Sequence, residues 1–250
     1  MQQTIRAAIR KLIRPAKKEL PGLTENERDL VTRIRAAKLT YLTDSKLASL
    51  AQTCRQIEAE QVQGEFIEAG CALGGSAILI ASVKATARPF SIYDVFGMIP
   101  APTQEDTPDV HERYRTIVEG KSVGIDGNPY YGYEPDLYEI VQGNLKRFGV
   151  DIAAQQVQLV KGLLQQTLQP TRSIAFAHID VDGYDPIKVC LERLFPRLSV
   201  GGSIVLDDYH DWGGCRKATD EYLRTVSGQF SLDDTAGSLK ITRSRSSIVS

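Results

Sequence analysis

The chain of 250 residues is long enough for one large α/β domain, or for such a domain with a helical extension. An apolar fraction of 42% supports a sizeable core and excludes a disordered chain. The 30 basic and 31 acidic residues give a formal net charge of −1, without the basic surplus that is typical of nucleic-acid-binding proteins.

The apolar runs and the cysteines indicate where the protein works. No apolar run approaches the roughly 20 residues that a membrane span needs, and residues 1–20 lack the uninterrupted apolar core of a signal peptide. The four cysteines are scattered, without a Cys-x-x-Cys pair, and with only three histidines a structural zinc site is not expected. We therefore predict reduced thiols and a cytoplasmic location, without stable membrane insertion.

Helices are predicted for the first 62 residues. Residues 1–20 form a basic amphipathic segment, for which docking on its own domain or on a partner subunit is favoured over a membrane surface. This segment suggests a homo-oligomer, a dimer or larger. Further helices are predicted over residues 25–38 and 44–62, the second capped by Asp44 or Ser45. We assign residues 1–62 to a helical extension and residues 63–250 to the main domain.

Strands and helices alternate after residue 63. Strands are predicted in GEFIEAG, FSIYDVF, VQLVKG, SIAFAHIDVD and GGSIVLDDYH. Helices are predicted in GSAILIASVKAT, PDLYEIVQGNLKRFGV, PIKVCLERLFPRLSV and GCRKATDEYLRTV. This alternation predicts an α/β fold, a Rossmann-like, doubly wound and mostly parallel sheet, whose ligands bind at the carboxyl ends of the strands.

One connection in this pattern is unusually long. Residues 97–135 are rich in Pro, Gly and Tyr and show little periodicity. A stretch of this length indicates either a lid over a site or a loop at a subunit interface. As a lid, it would offer Tyr130, Tyr131 and Tyr133 to an acceptor, each with an apolar face and a polar tip.

The turn after the first strand favours a nucleoside ligand without phosphate. Gly70 permits a tight turn, and Gly74 and Gly75 let a ligand approach the backbone at the helix start. The spacing differs from the G-x-G-x-x-G of dinucleotide sites. Glu68 would repel a phosphate but suits an amine, and S-adenosylmethionine carries an ammonium, a sulfonium and no phosphate.

Asp94, at the end of the second strand, completes this half of the site. An acidic side chain there can accept both ribose hydroxyls of a nucleoside. The alternative is a helix-capping Asp in a loop. The ordered pair of the Glu68 turn and Asp94 favours the nucleoside.

Two acidic clusters follow neighbouring strands of the predicted sheet. Asp180 and Asp182 end one strand, and Asp207 and Asp208 end the next. Adjacent strands lie about 4.8 Å apart, so Asp180 and Asp207 or Asp208 can share one small volume. Their repulsion requires a compensating charge, and oxygen ligands select Mg²⁺, Mn²⁺ or Ca²⁺. The alternative is that these acids cap helices or pair with Arg and Lys.

In several of these segments the sequence resembles the macrocin-type O-methyltransferases, which modify sugars of macrolide and aminocoumarin antibiotics. The matching stretches, in the family's order, are GEFIEAGCALGGSA, YDVFGMIP, NLKRFGV, KGLLQQTL, HIDVDGYD and LSVGGSIVLDDYHDWGGCRKATDEY. The chain departs from the family at Val181 and Gly183 to Pro186, and at Val95 to Ile99, which flank the site and concern the acceptor.

This resemblance implies a class I methyltransferase that uses S-adenosylmethionine and Mg²⁺ or Mn²⁺ to methylate a hydroxyl of a small, sugar-bearing acceptor. It implies Asp180, Asp207 and Asp208 as metal ligands and Asp180, or a neighbour, as the base that helps deprotonate the hydroxyl. Apart from the resemblance, His210, three residues beyond Asp207, is the second candidate for this base. The implied donor site comprises Thr40, Tyr41, Leu42, Ser45, Glu68, Gly70, Gly74, Ser76, Asp94 and Gly162.

A different enzyme class remains an alternative at this point. Asp180-Val181-Asp182 also matches the Asp-x-Asp pattern with which metal-dependent glycosyltransferases hold a nucleotide-sugar. That interpretation leaves Glu68 unexplained and lacks a basic group for the diphosphate. His178, inside its strand, is expected to be a buried, hydrogen-bonded residue.

Overall fold

The fold is built on a seven-stranded sheet in the order β3-β2-β1-β4-β5-β7-β6. The computed structural model describes residues 21–226 and 230–244, so the prediction for residues 1–20 lies outside it. The strands are β1 Glu65–Ala69, β2 Phe90–Asp94, β3 Val157–Lys161, β4 Ile174–Ile179, β5 Leu198–Leu206, β6 Phe230–Asp233 and β7 Leu239–Arg243. β1 to β5 are parallel and β7 runs antiparallel to β5. The predicted doubly wound, mostly parallel sheet is confirmed.

Helices cover both faces of this sheet. They are α1 Glu25–Ala36, α2 Asp44–Ala59, α3 Gly75–Val83, α4 Pro108–Val118, α5 Leu137–Arg147, the short α6 Leu164–Thr167, α7 Tyr184–Leu194 and α8 Gly213–Thr225. Successive side chains of a strand point to opposite faces. Phe66 of β1 therefore packs in a core with α1, α2, α3 and α5, whereas Ile67 packs in a core with α7 and α8.

The N-terminal helices share the core of the sheet. Ile34 of α1 and Leu47 of α2 are fully buried against α3 and β1. The expected cap of α2 was wrong: Thr43 caps the helix by accepting from the Lys46 N–H at 3.3 Å, and Asp44 is already helical. The proposed division at residue 62 stays a prediction.

Residues 97–135 contain a helix that was not predicted. α4 begins at Thr107-Pro108, a common helix start, and buries only Val110 and Ile117. Two carboxylates of this segment cap helices that have no side-chain cap of their own. Asp106 Oδ1 accepts from the first N–H of α7 at 2.6 Å, and Asp109 Oδ2 accepts from that of α8 at 2.9 Å. The segment is therefore anchored to the domain.

The hairpin of β6 and β7 was also not predicted. β7 pairs with β5 and covers the edge of the strand that leads to Asp207, and β6 forms the outer edge. The hairpin loop returns Ser238 to the carboxyl end of β5. No helix within residues 21–226 and 230–244 combines the length and apolar character needed to cross a membrane.

Candidate active site

A cavity of about 460 Å³ opens at the carboxyl ends of the parallel strands. It lies at the switch in strand order between β1 and β4, where ligands of such sheets bind. The predicted site residues that line it are Tyr41, Leu42, Gly70, Asp94, Gly162, Asp180, Asp207 and Asp208. Both halves predicted from the sequence therefore face one cavity.

Gly70 makes the turn between the two halves possible. Its φ of +84° lies in the left-handed region, and its N–H donates to the Tyr93 carbonyl at 2.8 Å. A Cβ at this position would stand 2.0 Å from the Asp180 carbonyl oxygen. The β1 turn and the end of β4 can approach this closely only because residue 70 has no side chain.

Asp94 is oriented by the backbone around it. Its Oδ2 accepts from the Cys71 N–H at 2.8 Å and its Oδ1 from the Phe96 N–H at 2.7 Å. Burial raises the pKa of Asp94, and these donors counteract the rise. Neither donor belongs to the first turn of a helix, so Asp94 orders the loops after β1 and β2, and its role towards the ribose stays a prediction.

Glu68 has a different position from the one expected. It is fully buried, and its Oε1 lies 2.8 Å from Nδ1 of His178, its register neighbour on β4. Burial lowers the pKa of His178. The adjacent Glu68 carboxylate raises this pKa by more than burial lowers it, so the pKa of His178 lies above its usual value. The predicted donor residues Thr40, Ser45, Glu68, Gly74 and Ser76 are not among the cavity-lining residues.

Asp180, Asp207 and Asp208 form a tight acidic group. One carboxylate oxygen from each lies within 4.8 Å of the other two. Burial and the Asp207 charge raise the pKa of Asp180 to about 8, and burial and Asp180 raise that of Asp208 well above its usual range. Oδ2 of Asp208 is buried without a hydrogen-bond partner among the described residues. Two carboxyl groups with raised pKa values and one unpartnered oxygen suit a divalent cation, because its charge can replace the protons and it binds oxygen ligands.

Asp207 also has a basic partner from α2. Lys46 Nζ donates to Asp207 Oδ2 and to the Asp207 carbonyl, both at 3.0 Å, and to Asp211 Oδ2 at 2.8 Å. Ser238 Oγ donates to Asp207 Oδ1 at 2.9 Å. Pairing with Lys, the alternative stated for these acids, therefore applies to Asp207, and Asp208 keeps its free oxygen. Sequence reasoning missed Lys46 and Ser238, because both are distant from Asp207 along the chain.

His210 lies outside the cavity lining. Its Nε2 is 3.3 Å from Asp234 Oδ2, and its side chain is partly exposed. Asp180 lines the cavity directly, so the geometry favours it over His210 as the base.

Aromatic residues form part of the cavity wall. Tyr130 and Tyr131 line the cavity with ring centroids 4.5 Å apart, and Tyr41 lies 6.0 Å from Tyr131. Arg113 of α4 stacks on Tyr130 at 5.2 Å. Tyr133 instead holds the end of α4 by donating to the Ile117 carbonyl at 2.7 Å. The 97–135 segment thus supplies a wall of the cavity.

This sheet order, with an antiparallel β7, a glycine turn after β1 and an acid at the end of β2, defines a class I S-adenosylmethionine-dependent methyltransferase. The fold is similar to that of the O-methyltransferase NovP, with a TM-score of 0.66, 22% identity and 83% of each chain covered.

The chain belongs to the family described as Macrocin-O-methyltransferase (TylF), whose model matches residues 4–231. It is 30% identical over 195 residues to 8-demethyl-8-(2,3-dimethoxy-alpha-L-rhamnosyl)-tetracenomycin-C 4'-O-methyltransferase of Streptomyces olivaceus, covering 76% of this chain and 67% of that protein. It is 26% identical over 191 residues to demethyldecarbamoylnovobiocin O-methyltransferase of Streptomyces niveus, covering 73% and 67%. These matches confirm the family that the sequence resemblance indicates. The protein is an S-adenosylmethionine-dependent O-methyltransferase.

Proposed function

We propose that the enzyme methylates a sugar hydroxyl of a glycosylated natural product in a reaction that requires a divalent cation, Mg²⁺ or Mn²⁺. The observation that carries this proposal is the group of Asp180, Asp207 and Asp208 in the same cavity as Gly70 and Asp94. The relative from Streptomyces olivaceus is named for a rhamnosyl-tetracenomycin acceptor and the one from Streptomyces niveus for demethyldecarbamoylnovobiocin, and the rhamnosyl group of the first supports a glycosylated acceptor.

The three aspartates are the residues that would hold the cation. Asp208 offers its unpartnered Oδ2, and Asp207 offers a lone pair that its hydrogen bonds with Lys46 and Ser238 leave free. A bound divalent cation would lower the pKa of a coordinated hydroxyl, which is otherwise a poor nucleophile near neutral pH.

The remaining steps belong to the protein's own side chains. Asp94 would hold the ribose of the donor, and Asp180 would accept the proton of the acceptor hydroxyl. Alignment of that oxygen with the methyl group at about 3 Å can supply roughly 7–11 kcal/mol of the barrier in favourable cases. Tyr130 and Tyr131 would exclude water from this side of the cavity.

Location and assembly are part of the same proposal. The four cysteines are buried and free, as suits a reducing cytoplasm. The homo-oligomer suggested by residues 1–20 stays a prediction.

The glycosyltransferase alternative loses its support. Besides the metal, that class needs a free basic group for the diphosphate, and the two basic residues among those that line the cavity are Lys46 and Arg113. Lys46 is engaged with Asp207 and Asp211, and Arg113 donates to Ser122 at 2.9 Å and stacks on Tyr130. Family membership independently identifies a methyltransferase.

The test is a methyl-transfer assay with labelled S-adenosylmethionine and a panel of glycosylated acceptors, each matched with its aglycone. We expect transfer to a glycosylated member with Mg²⁺, loss of transfer after chelation with EDTA, and recovery when Mg²⁺ is restored. Transfer that survives chelation would refute the metal requirement. Preference for the aglycones would refute the sugar acceptor.

A further inference from the structure

Lys46 is a buried lysine that connects the acidic group to the start of α2. It is 9% exposed, and its ammonium contacts two side chains and one backbone carbonyl of the turn that carries Asp207 and Asp208. Because an ammonium has three donors and all three have acceptors here, the position of this turn is tied to that of α2.

The start of α2 is part of the cavity wall near the donor half. Tyr41, Leu42 and Thr43 line the cavity immediately before the helix. Thr43 caps α2 by accepting from the backbone N–H of Lys46 at 3.3 Å. A change in the position of this wall segment therefore moves Lys46.

The same segment contacts the glycine turn of the donor half. The Leu39 carbonyl accepts from the Gly75 N–H at 3.1 Å. A Cβ on Gly75 would stand 2.5 Å from that carbonyl oxygen and 2.8 Å from Thr40 Cβ. An unbroken series of close contacts thus runs from the β1–α3 turn, through residues 39–43, to Lys46 and Asp207.

We infer that Lys46 is a positioning residue that couples binding of S-adenosylmethionine to binding of the divalent cation. A donor bound against residues 41–43 would restrain this segment and the first turn of α2 in the arrangement that the structure shows, and through Lys46 it would restrain Asp207 at the cation site. The conformational entropy of these residues is lost only once for the two ligands. Each ligand therefore makes binding of the other more favourable. This inference rests on the proposed cation site.

The experiment measures donor affinity by calorimetry with S-adenosylmethionine, in EDTA and in saturating MgCl₂, and Mg²⁺ affinity with and without the donor. In the wild type we expect each ligand to tighten the other by the same factor, about fivefold or more. In Lys46→Met we expect this factor to fall to about 1 while both ligands still bind, since removing the link leaves two independent sites.

Ser238→Ala is the matched control. Ser238 also donates to Asp207, but from the β6–β7 hairpin, which has no part in the series of contacts described above. We expect this variant to bind Mg²⁺ about 10-fold more weakly and to keep the wild-type coupling factor. A purely structural role of Lys46 would instead make the two variants alike.

The outcomes separate this inference from the proposed function. Absence of Mg²⁺ binding in the wild type would refute the cation site itself. Binding of both ligands without coupling in the wild type, or unchanged coupling in Lys46→Met, would refute the role of Lys46 alone. If Lys46→Met does not fold, as circular dichroism would show, Lys46→Gln takes its place. The shorter amide cannot reach the same three acceptors, so a wild-type coupling factor in that variant would overturn the inference.

Discussion

The acidic residues at the strand ends differ in what already binds their oxygens. Asp94 accepts from two backbone N–H groups, and Asp207 accepts from Lys46 and Ser238. Asp208 alone of these three has a buried oxygen without a partner among the described residues. A buried carboxylate oxygen without a partner is costly, so Asp208 gains most from a cation.

Replacement of Asp208 tests this difference. We expect Asp208→Asn to lower Mg²⁺ affinity at least about 100-fold, because the amide has almost the same shape but carries no charge for the cation. Donor affinity in EDTA should stay at the wild-type value. Calorimetric titration with MgCl₂ measures the first effect, and titration with S-adenosylmethionine measures the second.

Asp185→Asn is the corresponding control. Asp185 lines the same cavity but is not a member of the acidic group. Its replacement should change Mg²⁺ affinity only a few-fold through the lost long-range charge. Equal losses in both variants would mean that the cation senses only the total charge of the cavity.

At the scale of elements, the turn after β1 sets the distance between the two halves of the site. We expect Gly70→Ala to destabilise the fold and displace Asp180, since its methyl group meets the Asp180 carbonyl at 2.0 Å. Gly149→Ala is the control, because Gly149 has nearly the same φ, +86°, and its methyl would meet nothing within 4 Å. The control should lose about 1–2 kcal/mol from left-handed strain alone.

Chemical denaturation of both variants measures this contrast. The excess loss in Gly70→Ala over Gly149→Ala gives the cost of the close approach to β4. Equal losses would show that β4 yields without cost and that Gly70 serves only the turn.

The elements that sequence analysis found are those whose side chains are buried on a regular pattern. β4 is buried at all six positions, and its apolar run identifies it at once. α4 has apolar residues at helical spacing, Val110, Tyr114 and Ile117, but this short helix lies inside a stretch rich in Pro, Gly and Tyr that as a whole shows little periodicity. In β6, Leu232 is about half exposed, so this strand has no buried face that a pattern could show. These elements are stabilised by partners that lie far along the chain.

The same limit applies to the site. Asp180, Asp207 and Asp208 were predicted as neighbours because parallel strands end at one edge of a sheet. Glu68 was placed in the cavity, although strand alternation turns it towards His178. The contact of Lys46 with Asp207 spans 161 positions of the chain, and no local pattern announces it.

For the molecule as a whole, the acidic group links stability to pH. In the folded, metal-free protein, burial raises the pKa of Asp180 from 3.8 to about 8 and the pKa of Asp182 to about 6. The folded state thus binds more protons than the unfolded state between these limits, so its stability falls as pH rises from about 4 to about 8.

Thermal unfolding in EDTA across this pH range tests the sign. We expect the melting temperature of the metal-free protein to decrease towards pH 8, and saturating MgCl₂ to reduce that decrease, because the cation replaces the protons. A melting temperature that rises from pH 5 to pH 8 in EDTA would contradict the burial of these carboxyl groups.

The capping of α7 and α8 by Asp106 and Asp109 has a consequence for enzyme engineering. Residues 97–135 could be grafted from a relative to change the choice of acceptor. Such a graft would also replace the two carboxylates that cap the N-termini of α7 and α8. A graft that preserves acids at positions 106 and 109 keeps those helix starts satisfied. Chimeras should therefore vary the aromatic wall around Tyr130 and Tyr131 while leaving these two anchors in place.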